Sequence, residues 1–309
     1  MKTSRRTFIR TGAMAVAGAV IMREQLMAEP GEKKKKKGMV ALQLYSIRGD
    51  MEKDALGSLK QITAMGYKYV EHANYRNGKF YNYEPAEFKK ILDDLGLKMV
   101  SGHTGFSPRH WDDAKNDFTD SWKKLVDDAA TLGQLYVVSP SMDGSQYKTI
   151  DDLMKTLEKF NRCGDLCHSK GMKFGYHNHD FEFFTDYNGK KMFDVIMDTI
   201  DPKKVVIQLD MGNLYNGGGV ALDVVNKYPG RFENLHVKDE ITSTSGGKEK
   251  YESCILGEGI VKCKEVTDLA TKTGGTQLYV IEQESYQGKT PMECVKRDLE
   301  IIAGWGYKS

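Results

Sequence analysis

The chain has 309 residues, 40% of them hydrophobic and 28% charged, with a formal net charge of +2 at pH 7. That length admits one large domain or two ordinary ones. The near-neutral balance, with much of the positive charge in the single run Lys33 to Lys37, is a poor composition for holding nucleic acid by its phosphates. The five cysteines, at 163, 167, 254, 263 and 294, have no framework spacing. Cys163 and Cys167 could meet on a predicted helix, but all five read better as small buried hydrophobes.

In chain order, the first feature is the stretch SRRTFIRTGAMAVAGAVIM, in which Arg5, Arg6 and Phe8 precede a weakly apolar run. The run is too short and too small in side-chain volume for a stable transmembrane helix. It resembles the bacterial twin-arginine export signal. That resemblance implies an exported, periplasmic protein that folds before export, with no membrane span once the signal is removed. The mature start is expected between Ala28 and Gly38, so residues 1–38 are read as signal plus a solvated lysine-rich linker.

From Met39 onward, short β-branched and aromatic runs alternate with amphipathic, charged segments. Strands are predicted at 39–46, 67–73, 97–103, 134–140, 172–179, 204–211, 232–239 and 277–284. Helices are predicted between them, near 52–65, 84–95, 114–132, 149–170, 190–200, 219–228, 260–273 and 289–303. Glycine punctuates several helix ends, as in AMGYKY, DLGLKM, TLGQLY and SKGMKF, where a left-handed residue is needed. Such alternation argues a parallel sheet, and eight units match a closed (β/α)8 barrel, usually about 250 residues. The competing doubly wound sheet would carry a glycine-rich phosphate turn after its first strand, and LQLYSIRGD is no such turn. Residues 39–309 are therefore read as one α/β barrel.

In a barrel, functional groups sit at the C-terminal ends of the strands. Those ends here carry Gln43 and Tyr45, Glu71, His103, His177 and His179, Asp210, His236 and Lys238, then Glu282 and Glu284. His177, Asp210, His236 and Glu282 arrive from consecutive strands and form a candidate metal set. Two imidazoles and two carboxylates suit Mn, Co, Zn or Fe better than calcium. The plainer alternative is that the carboxylates cap helices and the histidines make ordinary hydrogen bonds.

With the motifs VE (Val70, Glu71), SGH (His103), LDMGN, HVKD and VIEQ, the chain resembles the sugar isomerase/epimerase superfamily of xylose-isomerase-like barrels, which includes inosose dehydratases and 3-ketose epimerases. The resemblance implies one divalent metal ion, bound from strands 5 to 8; Asp210, His236 and Glu282 match three of those positions, and magnesium joins the candidate ions. At strand 5 the chain has HNH where the family's usual ligand is a glutamate. His177 matches that glutamate and His179 the following histidine, although a shift of one residue would substitute Tyr176 or Asn178. The family's ketose epimerases use two metal-binding glutamates on opposite faces of the sugar, and here that symmetric pair is absent.

The expected activity is therefore that of a metal-dependent sugar isomerase/epimerase, removing a proton next to the carbonyl of a keto-sugar through an enediolate. The alternative is a lyase or hydrolase cleaving an oxidised (3-keto) glycoside by elimination. Glu282, His179 and Lys238 are the candidate catalytic groups, with Glu284 as a further base. Tyr45, Glu71, His103, Trp111 and Glu284 are the expected substrate contacts. Tyr45, Phe106, Trp111 and Phe181 offer rings to a pyranose. Two other classes compete. The abasic-site endonucleases share this barrel but need three metals, and Asn213 stands where they carry a histidine. A non-catalytic sugar-binding barrel would leave the Asp210, His236 and Glu282 set without a task.

Overall fold

The computed structural model describes residues 38–244 and 249–308, so all but Gly38 of the expected export signal and lysine-rich linker, residues 1–38, lies outside the described residues. Eight parallel strands close into a barrel: β1 (Met39–Gln43), β2 (Tyr69–His72), β3 (Lys98–His103), β4 (Tyr136–Ser139), β5 (Lys173–His177), β6 (Val205–Asp210), β7 (Phe232–Val237) and β8 (Leu278–Ile281). Each strand pairs with its neighbours in chain order, and β8 returns to β1 in the register Met39–Leu278 to Leu42–Ile281. The outer layer comprises α1 (Ala55–Met65), α2 (Pro85–Leu95), α3 (Asp120–Leu132), α4 (Ile150–His168), α5 (Met192–Thr199), α6 (Ala221–Lys227), α7 (Cys263–Thr273) and α8 (Pro291–Gly304).

The helices begin and end where the sequence places their signals. Thr149 and Asp152 form a reciprocal capping box at the start of α4, and Thr290 with Glu293 forms another before Pro291 of α8. Gly66, Gly96 and Gly133 end α1, α2 and α3 in the left-handed region. The main departures are at hairpins. The helix expected from 114 starts at Asp120, because Trp111–Asp112 pairs with Asp117–Phe118 around Asn116, which has φ 49°. The helix expected from 190 starts at Met192, because Lys190–Lys191 pairs with Asp186–Tyr187 around Asn188-Gly189, a favoured two-residue turn sequence. After β7 the chain forms an unexpected hairpin, Asp239–Thr242 with Tyr251–Cys254.

Alternation along each strand sorts side chains into two cores. Outward residues such as Val40, Leu42, Phe174, Tyr176, Ile207, Leu209, Tyr279 and Ile281 pack with the helices. Inward residues Ala41, Val100, Tyr136, Val138, Val206, Leu278 and Val280 fill the lower barrel. Two residues further along, the inward positions turn polar and fully buried: Gln43, Gln208 and, beyond β7's Asn234, His236. The five cysteines are free and buried, and among the described residues no helix is long and apolar enough to cross a membrane.

The wall above β7 and β8 is fixed by two buried carboxylates. Asp239 accepts backbone N–H bonds from Gly257 (2.8 Å), Gly259 (3.2 Å) and Val261 (3.1 Å). Asp298 of α8 accepts the Leu256 N–H at 2.9 Å. Burial pushes the Asp298 carboxyl up to about 7, from an ordinary value of 3.8, with Asp239 and Glu258 adding to the rise and the Leu256 N–H opposing it.

Two outcomes follow from this packing. A Cβ at Gly164 of α4 would lie 2.4 Å from the Lys204 carbonyl oxygen, so Gly164→Ala is expected to destabilise the protein by about 1–3 kcal/mol, despite alanine's better helix propensity. Urea denaturation measures this, and an unchanged midpoint would refute the close approach. The folded protein holds the Asp298 proton to a higher pH than the unfolded chain, so this group's contribution falls as pH rises from about 4 to about 7. Asp298→Asn retains an acceptor for Leu256 and is expected to flatten that fall. At pH 8 it should exceed the parent's stability by about 1–4 kcal/mol; a pH profile parallel to the parent's would contradict this.

Candidate active site

The polar layer inside the barrel is organised on Glu71, which is completely buried. Its Oε1 accepts hydrogen bonds from Gln43 Nε2 (2.8 Å) and His236 Nε2 (2.6 Å), and His103 Nε2 lies 3.1 Å away. Its Oε2 accepts from Gln208 Nε2 at 2.7 Å. Burial alone would raise the Glu71 carboxyl, but the imidazoles of His103 and His236 hold it well below the usual carboxylate range.

Gln208 carries the order one step further. Its Nε2 is committed to Glu71, so its Oε1 is the acceptor for His103 Nε2 (2.7 Å) and His177 Nδ1 (3.0 Å). The proton of His177 therefore sits on Nδ1, and Nε2 presents a lone pair. Burial, with the neighbouring imidazoles of His236 and His103, keeps the His177 pKa well below its ordinary value, so the ring is neutral. Likewise the His236 Nε2–H donates to Glu71, leaving Nδ1 beside Glu282 Oε2 at 3.1 Å. Burial would lower the His236 pKa, but Glu71 and Glu282 push it up to about 10. Positive charge is favoured at this point, and a cation bound there would take the place of the proton on Nδ1.

Asp210 supplies the remaining corner. Its Oδ1 accepts the N–H groups of Gly212 (2.8 Å) and Asn213 (2.7 Å). Its Oδ2 is buried without a hydrogen-bond partner, 3.8 Å from both His177 Nε2 and His236 Nδ1. Burial pushes the Asp210 carboxyl up to about 6, against the pull of Lys238. An orphaned buried carboxylate oxygen is costly, and a cation would satisfy it. Asp210, His236 and Glu282 place one ligand atom each within 4.8 Å of one another. The separations of 3.1 and 3.8 Å suit ligands about 3–4 Å apart around an ion with bonds of about 2.1 Å. The donor set fits a divalent transition metal or magnesium.

Above this layer lies a cavity of about 310 Å³, lined in part by Tyr45, His103, His177, His179, Glu282 and Glu284. Lys238 is buried at its edge. Its Nζ donates to Asn213 Oδ1 (2.9 Å), pairs closely with Glu284 and lies 3.6 Å from Glu282 Oε2. Burial would lower the Lys238 pKa, but Glu282, Asp210 and Glu284 hold it well above the ordinary lysine value. Lys238 and His236 conversely hold Glu282 below the usual carboxylate range although burial opposes them. His179 packs between His177 and Phe181, with ring centroids 5.1 and 6.3 Å away. Its loop is pinned by the buried Glu182, which accepts the His179 N–H at 3.0 Å and a close bond from the Tyr176 hydroxyl.

The structure brings together His103, His177, His179, Asp210, His236, Lys238, Glu282 and Glu284, with Tyr45 at the rim, 40% exposed. Three expectations are corrected. Glu71 is no substrate contact, because it lies beneath the imidazoles with both oxygens occupied. Trp111 is 9% exposed and packs edge-on against Phe118 with Arg162 over its ring, away from the cavity lining. Phe106 is buried against Trp122, Phe118 and Phe160. At β5, Tyr176 points into the outer core and Asn178 bonds the Asp210 backbone (3.0 and 3.1 Å), so the inward group is His177. Sequence reasoning missed Gln208. Its signal was position: two before Asp210 on the same strand, it shares Asp210's inward face.

A closed (β/α)8 barrel with an imidazole–carboxylate cluster under a rim cavity defines the class by architecture, a barrel whose polar groups gather at the C-terminal ends of its strands. The chain belongs to the xylose isomerase-like TIM barrel family, whose model matches residues 59–304. Among curated relatives it is similar to an inosose dehydratase of Geobacillus thermodenitrificans, 27% identical over 157 residues, covering 47% of this chain and 52% of that protein. A second, from Lacticaseibacillus casei, is 23% identical over 254 residues, covering 75% and 83%. The chain thus spans about half the length of the first relative. Among solved structures, a sugar phosphate isomerase/epimerase from Parabacteroides distasonis is 26% identical with a TM-score of 0.74, covering 90% of this chain and all of that one. A D-allulose 3-epimerase from Methylomonas, at 15% identity, a TM-score of 0.63 and coverage of 87% and 98%, shares the fold.

Proposed function

We propose that this chain is a divalent-metal-dependent enzyme that removes the proton next to the carbonyl of a keto-sugar. The observation that carries this reading is the orphaned Asp210 Oδ2, facing His177 Nε2 and His236 Nδ1 beneath a cavity whose wall holds Glu282. His177, Asp210, His236 and Glu282 would hold the ion. When bound, it would act as a Lewis acid that acidifies the carbon next to the carbonyl.

The residues divide the remaining tasks. Glu282 and Glu284 line the cavity, and both lie against Lys238. Either carboxylate is a base for the carbon-bound proton once substrate lies within reach. Lys238, fixed by Asn213 and the two glutamates, offers a permanent positive charge to the oxygen that gains charge as the enediolate forms. His103 and His179 line the cavity as imidazoles, His179 being kept below its ordinary pKa first by burial and then by Lys238. Gln208 and Glu71 act through the histidines that they orient. With the strand-5 position held by His177, two opposed metal-binding carboxylates are absent, which favours one-sided chemistry over epimerisation at a single carbon.

A second reading is elimination, favoured by the likeness to two proteins named inosose dehydratase and by the one-sided base. Glu282 or Glu284 would take the proton next to the carbonyl, and the C–O bond one carbon further on would break. The leaving oxygen would depart with a proton from the site or from water, giving an enone from a 3-keto glycoside. The signal-like segment bearing Arg5, Arg6 and Phe8 supports export to the periplasm, and hence free sugars or glycosides as substrates.

Elemental analysis of the purified protein is expected to find about one equivalent of a transition metal or magnesium. His177→Ala should lose it; metal retained in that variant would remove His177 from the set, and no metal in the parent after reconstitution would sink the reading. Ketose and 3-keto-glycoside substrates separate the two outcomes of proton removal. An ultraviolet-absorbing enone with release of the aglycone supports elimination, whereas clean interconversion of two sugars refutes it and supports isomerisation.

A further inference from the structure

The central cavity continues into two arms of opposite charge. One, of about 250 Å³, meets it at His179, Asn213 and Glu284 and adds the carboxylates of Asp180, Glu240, Glu249 and Glu252 against the single ammonium of Lys238. The other, of about 750 Å³, meets it at Ala73 and His103 and is lined by Arg76, Arg109 and Lys124 without any carboxylate. Lys124 is already paired with Asp128 at 2.6 Å. Arg76 and Arg109 show no carboxylate partner among the described residues; Arg109 Nε donates to His110 Nε2 at 3.3 Å, which leaves its two terminal nitrogens for a ligand.

Both arginines stand on short elements with their own internal bonds. Arg76 belongs to the hairpin Tyr75–Arg76 with Lys79–Phe80, turned by Asn77 and Gly78 at positive φ. Arg109 lies in the helical turn Pro108–His110, closed by the Ser107 N–H on His110 Nδ1 at 3.1 Å. The same arm is also lined by Tyr75 and Leu125. The Tyr75 ring packs on Phe80 with centroids 4.8 Å apart, and its hydroxyl donates to Asp128 at 2.5 Å. The arm therefore pairs apolar surface with two uncompensated guanidinium groups, whose forked geometry matches a carboxylate.

We propose that this arm is a second subsite, taking a carboxylate-bearing aglycone joined to the keto-sugar in the central cavity. The inference rests on the keto-sugar reading above. The acidic arm enforces the same orientation from the other side, because an anion placed among Asp180, Glu249 and Glu252 meets like charge, whereas sugar hydroxyls can donate to those carboxylates.

The test measures the metal-loaded full chain at low salt with two probes, the 4-carboxyphenyl and the 4-(methoxycarbonyl)phenyl 3-keto-glucosides, with affinity read from the initial-rate KM where a probe is converted and by calorimetric titration where it is not. The parent is expected to bind the acid about tenfold more tightly than the ester. The double variant Arg76→Gln/Arg109→Gln is expected to bind the two alike, with its affinity for the ester unchanged. Equal binding in the parent, no binding of either probe, or a preference that survives in the double variant would overturn the proposal. So would loss of ester binding in that variant, which would make the arginines part of the arm's shape. Failure of the keto-sugar reading shows separately, as probe binding without conversion of either glycoside.

Discussion

A single carboxylate, that of Glu71, holds the C-terminal end of the barrel in order. Removing it from water costs several kcal/mol unless its lone pairs are matched, and Gln43, Gln208, His236 and His103 supply the match from four other strands. Because donors must point at it, the amide of Gln208 can face only one way. Because that amide faces one way, His177 can carry its proton only on Nδ1. Rotamer and tautomer are thus set for the rim histidines before any ligand arrives, which is what preorganisation requires of a site.

The charges above that network are arranged as an alternation. Glu71, His236, Glu282, Lys238 and Glu284 follow one another with opposite sign at each step. Burial opposes the charge on Glu71, His236, Glu282 and Lys238, yet neighbours of opposite sign favour the ionised form of each. Asp210 is the exception. Its outer oxygen finds no donor, and burial raises its carboxyl where Lys238 and His236 hold Glu282's down. That imbalance sets the metal-ligand reading apart from a self-sufficient salt-bridge network.

The sequence made the barrel legible through period and punctuation: alternating strands, glycine at the ends of α1 to α3, and capping signals at α4 and α8. It also placed His177, Asp210, His236, Lys238, Glu282 and Glu284 at strand ends, where the structure gathers them. What it concealed was depth. Glu71 and His103 end neighbouring strands, but Glu71 stops beneath the imidazoles while His103 reaches the cavity. Composition near a strand end does not reveal that difference. Trp111 and Phe106 were misjudged for a related reason: the loop after β3 folds back on α3 and α4 and turns its rings into the outer core. Gln208 was hidden because an uncharged amide inside a strand carries no chemical alarm.

Within the barrel, apolar and polar side chains lie on the same inward face, separated by one period of two residues. Val206 supports Gln208, and Val280 supports Glu282. The lower level carries the packing, while the upper one carries charge and shape. Replacement at the upper level leaves the apolar filling below it in place, so charge and shape at the rim can change without removing the packing that closes the barrel.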